Sequence, residues 1–101
     1  MVILSMKFCS SLPPERVRAI MRERSVQFRA LPGLRQKYYT QDESTGEWCG
    51  IYLWKSAEAL DAFRASELAR SIAIAYQVVG TPRVEILIVH LVLREDSQVT
   101  V

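Results

Sequence analysis

The chain has 101 residues, enough for one domain and too few for two. Its 13 basic and 11 acidic side chains leave a net charge of +2, too weak a field to imply a nucleic-acid partner, and no apolar run approaches the roughly 18 residues that would suggest a membrane span. Half of the residues are hydrophobic, a high share for so small a chain, and a second buried surface in a homodimer would absorb the excess.

Residues 2–9 alternate as a strand, with Val2, Leu4, Met6 and Phe8 on one face and Ile3, Ser5, Lys7 and Cys9 on the other. The opening residues carry no basic stretch and no long apolar segment, so they do not read as an export signal. Ser11 is a candidate N-cap, and Pro13-Pro14 opens a helix that continues to about Ala30, where Pro32-Gly33 stops it. Its apolar stripe is Val17, Ile20, Met21, Phe28 and Leu31. Residues 34–41 and 47–54 form a hairpin around the turn-forming run Asp42-Glu43-Ser44-Thr45-Gly46. Ser56 caps a second helix through Phe63, and Ser66 caps a further turn or kinked continuation to Tyr76. Gly80-Thr81-Pro82 reads as a break before a last strand at 83–93, and residues 94–101 as a polar tail.

The order β-α-β-β-α-β, with right-handed crossovers, predicts an α+β, ferredoxin-like antiparallel sheet over residues 1–93, with both helices on one face. Both strand faces are apolar, Ile51 and Leu53 against Tyr52 and Trp54, so the uncovered face calls for a second copy of the sheet. If Cys9 lies near Cys49, Phe8 faces Gly50, and if Gln41 and Gly46 close the hairpin, Tyr39 faces Trp48 and Lys37 faces Gly50. That register gathers Phe8, Lys37, Tyr39, Trp48, Gly50, Tyr52 and Trp54 on one surface. Gly50 leaves a gap among rings, a slot for a small planar aromatic molecule, or else these aromatic residues are simply core.

Arg24 falls in the middle of the apolar stripe of the first helix, where it either holds a phenolate or carboxylate in the slot or packs its stem and extends its head to water. Arg16, Arg18, Arg22 and Arg29 read as solvated. His90, the only histidine, sits among apolar residues of the last strand, as a core or interface residue or as a proton acceptor. Cys9 and Cys49 read as a buried pair of free thiols in a cytoplasmic protein, although a disulfide between them is geometrically allowed. Their spacing, with one histidine, excludes the common zinc patterns, and no phosphate-binding loop or other cofactor motif is present, so no metal or cofactor is expected.

The segments FRALPGLRQKYY and GEWCGIYLWKSAEALDAF resemble the YdhR-like monooxygenases of the dimeric α/β-barrel superfamily, which includes the antibiotic-biosynthesis monooxygenases. The shared features are Pro32-Gly33 after the first helix, Lys37 and Tyr39 on the second strand, and GIYLW running into Ser56 and Ala59. The resemblance implies a homodimer with a pocket between sheet and helices, and a cofactor-independent monooxygenase acting on a small aromatic or polyphenolic compound. Arg24, Lys37 and His90 are its candidate catalytic residues, and the aromatic set with Gly50 its binding surface. Trp54 matches the tryptophan of the quinone-forming relatives. Their asparagine and tyrosine are replaced here by Gly50 and Leu60, and the second-helix histidine that many of the wider superfamily carry is replaced by Phe63. Two rival readings stand beside this one: a dimeric binding protein without turnover, and a haem protein with His90 as the axial ligand.

Overall fold

The computed structural model describes residues 1–94, and the rest of the expected tail lies outside them. The elements are β1 (Val2–Ser10), α1 (Pro14–Arg29), β2 (Leu34–Gln41), β3 (Trp48–Trp54), α2 (Ala57–Arg64), α3 (Glu67–Arg70), α4 (Ile72–Ala75) and β4 (Val78–Ile88). The strands form one antiparallel sheet in the order β2-β3-β1-β4, the ferredoxin-like arrangement. Among the described residues no helix is long and apolar enough to cross a membrane.

Alternation along the strands puts Val2, Leu4, Phe8, Trp48, Tyr52 and Trp54 under the helices, where Val17, Ile20 and Phe28 of α1, Leu60 and Phe63 of α2, and Ile72 of α4 close over them. Phe63 lies 5.1 Å from the Trp54 ring and 5.5 Å from Tyr52, so α2 is keyed to β3 ring by ring. Ser56 and Ser66 accept from the backbone N–H of Ala59 and Ala69 and cap α2 and α3 as their sequence positions predict. Gly33 has a positive φ of 81°, and a Cβ there would meet the Ala59 Cβ at 2.6 Å, so the chain enters β2 hard against α2. The β2–β3 hairpin is closed by Asp42, which accepts from Ser44, Thr45 and the Lys7 ammonium; the Lys7 contact, ahead of the Ser44 and Thr45 bonds, holds its carboxyl well below the usual range.

Several expectations are corrected. The expected cap of α1 is replaced by Pro13, and Ser11 binds back to Gln77 instead. Strand β4 starts at Val78, and Gly80-Thr81-Pro82 lies inside it as a bulge: Lys7 pairs with Arg83 and Cys9 with Val79, leaving extra residues on β4 that Gly80 absorbs at φ 73°. The expected β1–β3 and β2–β3 registers are each two residues off. Phe8 faces Trp48, Met6 faces Gly50, Tyr39 faces Gly50 and Lys37 faces Tyr52. A shift of two preserves the faces, so the expected surface survives while its contacts change. Both cysteines are free, but they are not a buried pair: Cys49 is buried opposite Lys7 and Cys9 is exposed. His90 lies beyond β4, exposed and outside any strand.

Candidate functional site

The slot expected over Gly50 is occupied by the protein itself. A Cβ on Gly50 would come within 2.9 Å of the Tyr52 Cε1 atom, so the ring of Tyr52 lies folded back over the glycine. Tyr52 and Trp54 are stacked 6.3 Å apart at an interplanar angle of 7°, and both are buried. What remains is an inner cavity of about 20 Å³, lined by Phe8, Lys37, Tyr39, Gly50, Tyr52 and Tyr76 among others. That is room for a single water and not for an aromatic ligand.

Lys37 points from β2 into this cluster. Its Nζ lies 3.4 Å from the centroid of Phe28 and 4.3 Å from those of Tyr39 and Tyr52, an amine enclosed by three ring faces. Among the described residues no carboxylate, carbonyl or hydroxyl pairs with it. Burial first, and the nearby Arg24 charge second, lower its pKa to about 7. The phenols around it shift the other way: burial raises Tyr39, Tyr52 and Tyr76, the last to about 12, while Arg24 opposes all three. Arg24 thus stands close to every titrating group of the cluster, yet its guanidinium turns toward the helices, donating to Ser71 Oγ at 2.8 Å and less closely to the Leu68 carbonyl. Its Nε and the Tyr39 hydroxyl are buried without a partner among the described residues.

Outside the cage a groove follows the seam between α1 and β2. It consists of two open cavities of about 370 and 330 Å³ that meet at Ser25 and Tyr39. Met21 and Trp48 line the first, Phe28, Leu34 and Lys37 the second. The inner cavity shares Met21, Phe28, Lys37 and Tyr39 with them, so these four side chains separate groove from slot. Among the described residues no carboxylate lines the groove, whereas Arg18, Arg22, Arg29 and Arg35 do.

The structure therefore brings together Lys37, Tyr39 and Trp48 at the groove, with Phe8, Gly50 and Tyr52 behind them and Arg24 at the far side of the cluster. Trp54, expected to wall the slot, is core, because Phe63 and Tyr52 cover its ring on the central strand. His90 is away from the groove and inner cavity alike. The arginines at 18, 22 and 29 are exposed, as expected, but they belong to the groove wall. Their spacing with Ser25, at i, i+4, i+7 and i+11, is one helical stripe beside the apolar one, a signal available in the sequence. Among the described residues no three of His, Cys, Asp and Glu gather where a metal ion could sit.

Residues 3–89 match the family described as "Putative mono-oxygenase ydhR". No curated protein sequence matches the chain. Among solved structures the chain is similar to SnoaB, a cofactor-independent oxygenase from Streptomyces nogalater, at 16% identity and a TM-score of 0.73, covering 93% of this chain and 97% of that one. It is similar also to Rv0793 from Mycobacterium tuberculosis, at 19% identity and a TM-score of 0.72, covering 92% and 98%. At these identities the likenesses establish the fold.

Proposed function

The chain belongs to the ydhR mono-oxygenase family, and from that premise we propose that it oxidises a small phenolic or polyphenolic compound with dioxygen in the groove between α1 and β2, without metal, flavin or haem. The observation that carries this reading is the caged amine of Lys37. With its pKa near 7, about half of it is neutral at neutral pH and free to take a proton. A phenol lying on Tyr39, where the two cavities meet, gives its proton to Nζ, and the ammonium so formed stays beside the phenolate as its counter-charge, facing the rings of Phe28, Tyr39 and Tyr52. Arg24 adds positive potential from behind. The phenolate is the electron source: an activated ring carbon adds dioxygen, the hydroperoxide loses water, and a CH₂ group leaves as C=O. One oxygen atom stays in the quinone and the other departs in water.

The working unit of this reading is a homodimer in the cytoplasm. The support for the dimer is β4, an edge strand whose Val84, Ile86, Leu87 and Ile88 are all exposed, together with Leu91 and Leu93 beyond it. The support for the compartment is the pair of free thiols. A second reading, a dimeric binding protein without turnover, is favoured by Gly50 and Leu60, which stand where the quinone-forming relatives carry polar residues, and by Phe63, which stands where many of the wider superfamily carry a histidine.

Oxygen uptake with anthrone or a dihydroxynaphthalene decides between them. Turnover is expected, with Lys37→Arg, which cannot act as a base at neutral pH, slowing it roughly 10²–10⁴-fold. Quenching of Trp48 fluorescence by the same compounds with no oxygen uptake establishes the binding protein instead.

A further inference from the structure

Lys37 has a chemistry that oxygenation does not use. A primary amine in a cage of rings, with no acceptor among the described residues to hold it as an ammonium, on a side chain that also lines the open groove, is a nucleophile as well as a base. The groups around it are the rings of Phe28 from α1, Tyr39 from β2 and Tyr52 from β3, with the Arg24 charge farther off, and among the described residues none is a carboxylate. The groove end that Lys37 lines, about 330 Å³, is floored by Phe28, Leu34 and Tyr39 and suits a planar molecule.

We propose that Lys37 is a carbonyl-reactive site, whose ε-amine condenses with planar aromatic aldehydes entering the groove and holds them as an imine. The nitrogen adds to the carbonyl carbon, the C=O bond gives way to C=N, and the carbonyl oxygen leaves as water with both amine hydrogens. No oxidant or reductant is consumed. The rings exclude bulk water from the imine, and Arg24 nearby disfavours reprotonation of the amine when the aldehyde leaves. The groove is the one assigned above, but dioxygen has no part in this step.

The chain carries three lysines, Lys7, Lys37 and Lys55, which makes the test direct. Lys7 is engaged by Asp42 at 2.7 Å, and Lys55 is exposed and serves as the internal reference. The full-length protein is incubated at neutral pH with 2-hydroxy-1-naphthaldehyde and cyanoborohydride, which reduces the imine to a stable secondary amine, and the labelled peptides are mapped over time. An ordinary lysine amine, with a pKa near 10.4, is only about 0.04% neutral at pH 7. The amine of Lys37, at about 7, is far more available, and after allowing for its lower basicity Lys37 is expected to label roughly 10–100 times faster than Lys55. The preference is expected to vanish in guanidinium chloride, where the cage is gone. Equal labelling of Lys37 and Lys55, no label on Lys37, or a preference that survives denaturation overturns the proposal. Labelling of Lys37 without oxygen uptake from anthrone upholds it while removing the oxygenase reading; oxygen uptake with an unlabelled Lys37 does the reverse.

Discussion

The inner slot and the outer groove are built from the same materials, aromatic side chains on strands beneath α1, and they end in opposite states. Around Gly50, on the central strand β3, the space is filled: Tyr52 folds over the glycine, Trp54 stacks on Tyr52, and about 20 Å³ is left. Along β2, an edge strand, α1 is the helix that flanks it over most of its length, and a groove of two cavities of about 370 and 330 Å³ stays open. A ring in the middle of the central strand has neighbours on both sides and a second helix over it, so it becomes core. A ring on the edge strand, or at the hairpin end of β3 like Trp48, has one open flank and becomes a wall. Lys37 marks the boundary, with its stem on β2 and its amine among the rings of the core.

The sharpest way to break this comparison is to remove a ring from each side. Trp54→Ala leaves a cavity under α2 and is expected to cost about 3–5 kcal/mol of stability in urea unfolding, as for other buried tryptophans. Trp48→Phe, at the groove, is expected to cost much less and to weaken binding of a naphthol. A Trp54→Ala protein that unfolds at the wild-type urea concentration would show that the stacked pair is not core.

The sequence made the two sides look alike, and the reasons are specific. Alternation on β1 and β3 identified the correct face, and a register error of two residues did no harm because parity was kept. The fold order and the Ser56 and Ser66 caps were legible because each rests on local chemistry. The filling of Gly50 was not, because it depends on which way the Tyr52 ring turns, and a strand pattern carries no rotamer. Nor was the extent of β4: Gly80 and Pro82 look like a stop, and only pairing with Cys9 and Ser10 turns them into a bulge. At the other end, the apolar run to Leu93 carried His90 into a strand that stops at Ile88. Lys37 was found as a polar residue on the right face, but its ring cage needed Phe28 from α1, brought in by tertiary packing.

Next in size is the pH dependence of Lys37. Burial, then Arg24, depress its folded pKa to about 7, against an ordinary value of about 10.4 in the unfolded chain. Below the folded value both states carry the charge, and the full cost of an ammonium among rings is present. Between the two values the unfolded chain holds more protons, so stability climbs with pH, and above the upper one the cost is gone. Lys37→Met is expected to flatten this climb and to raise stability at neutral pH by on the order of 2–4 kcal/mol. Urea titrations at several pH values give the slope; an unchanged slope in the variant would place the amine in water, on the groove side of the boundary.

A smaller effect tests the slot directly. Gly50→Ala sets a methyl 2.9 Å from the Tyr52 ring, which is buried and stacked on Trp54. The expected loss is about 1–3 kcal/mol, the range for overpacking a filled core. Paired with Tyr52→Leu, which removes the ring edge, the alanine is expected to cost clearly less. Additive costs in the double variant would mean that Gly50 is needed for some reason other than the ring above it.

The smallest expected change in stability belongs to Tyr39, and it discriminates best, because Tyr39 lines groove and slot at once. Its hydroxyl is buried with no partner among the described residues, and burial raises its pKa. An unpaired buried hydroxyl contributes nothing to the fold and costs its own desolvation, so Tyr39→Phe is expected to leave stability unchanged or raise it by up to about 1 kcal/mol. The same hydroxyl becomes useful once a ligand with a phenol or carbonyl oxygen lies on the ring, where a neutral hydrogen bond is worth about 0.5–1.5 kcal/mol. Tyr39→Phe is therefore expected to bind a naphthol several-fold more weakly while melting no lower than wild type. The two measurements move in opposite directions only if the hydroxyl is held in reserve for a ligand. A drop in melting temperature with unchanged affinity would mean that Tyr39 is bonded within the core, and the edge strand would then be no more a binding wall than the middle of β3 is.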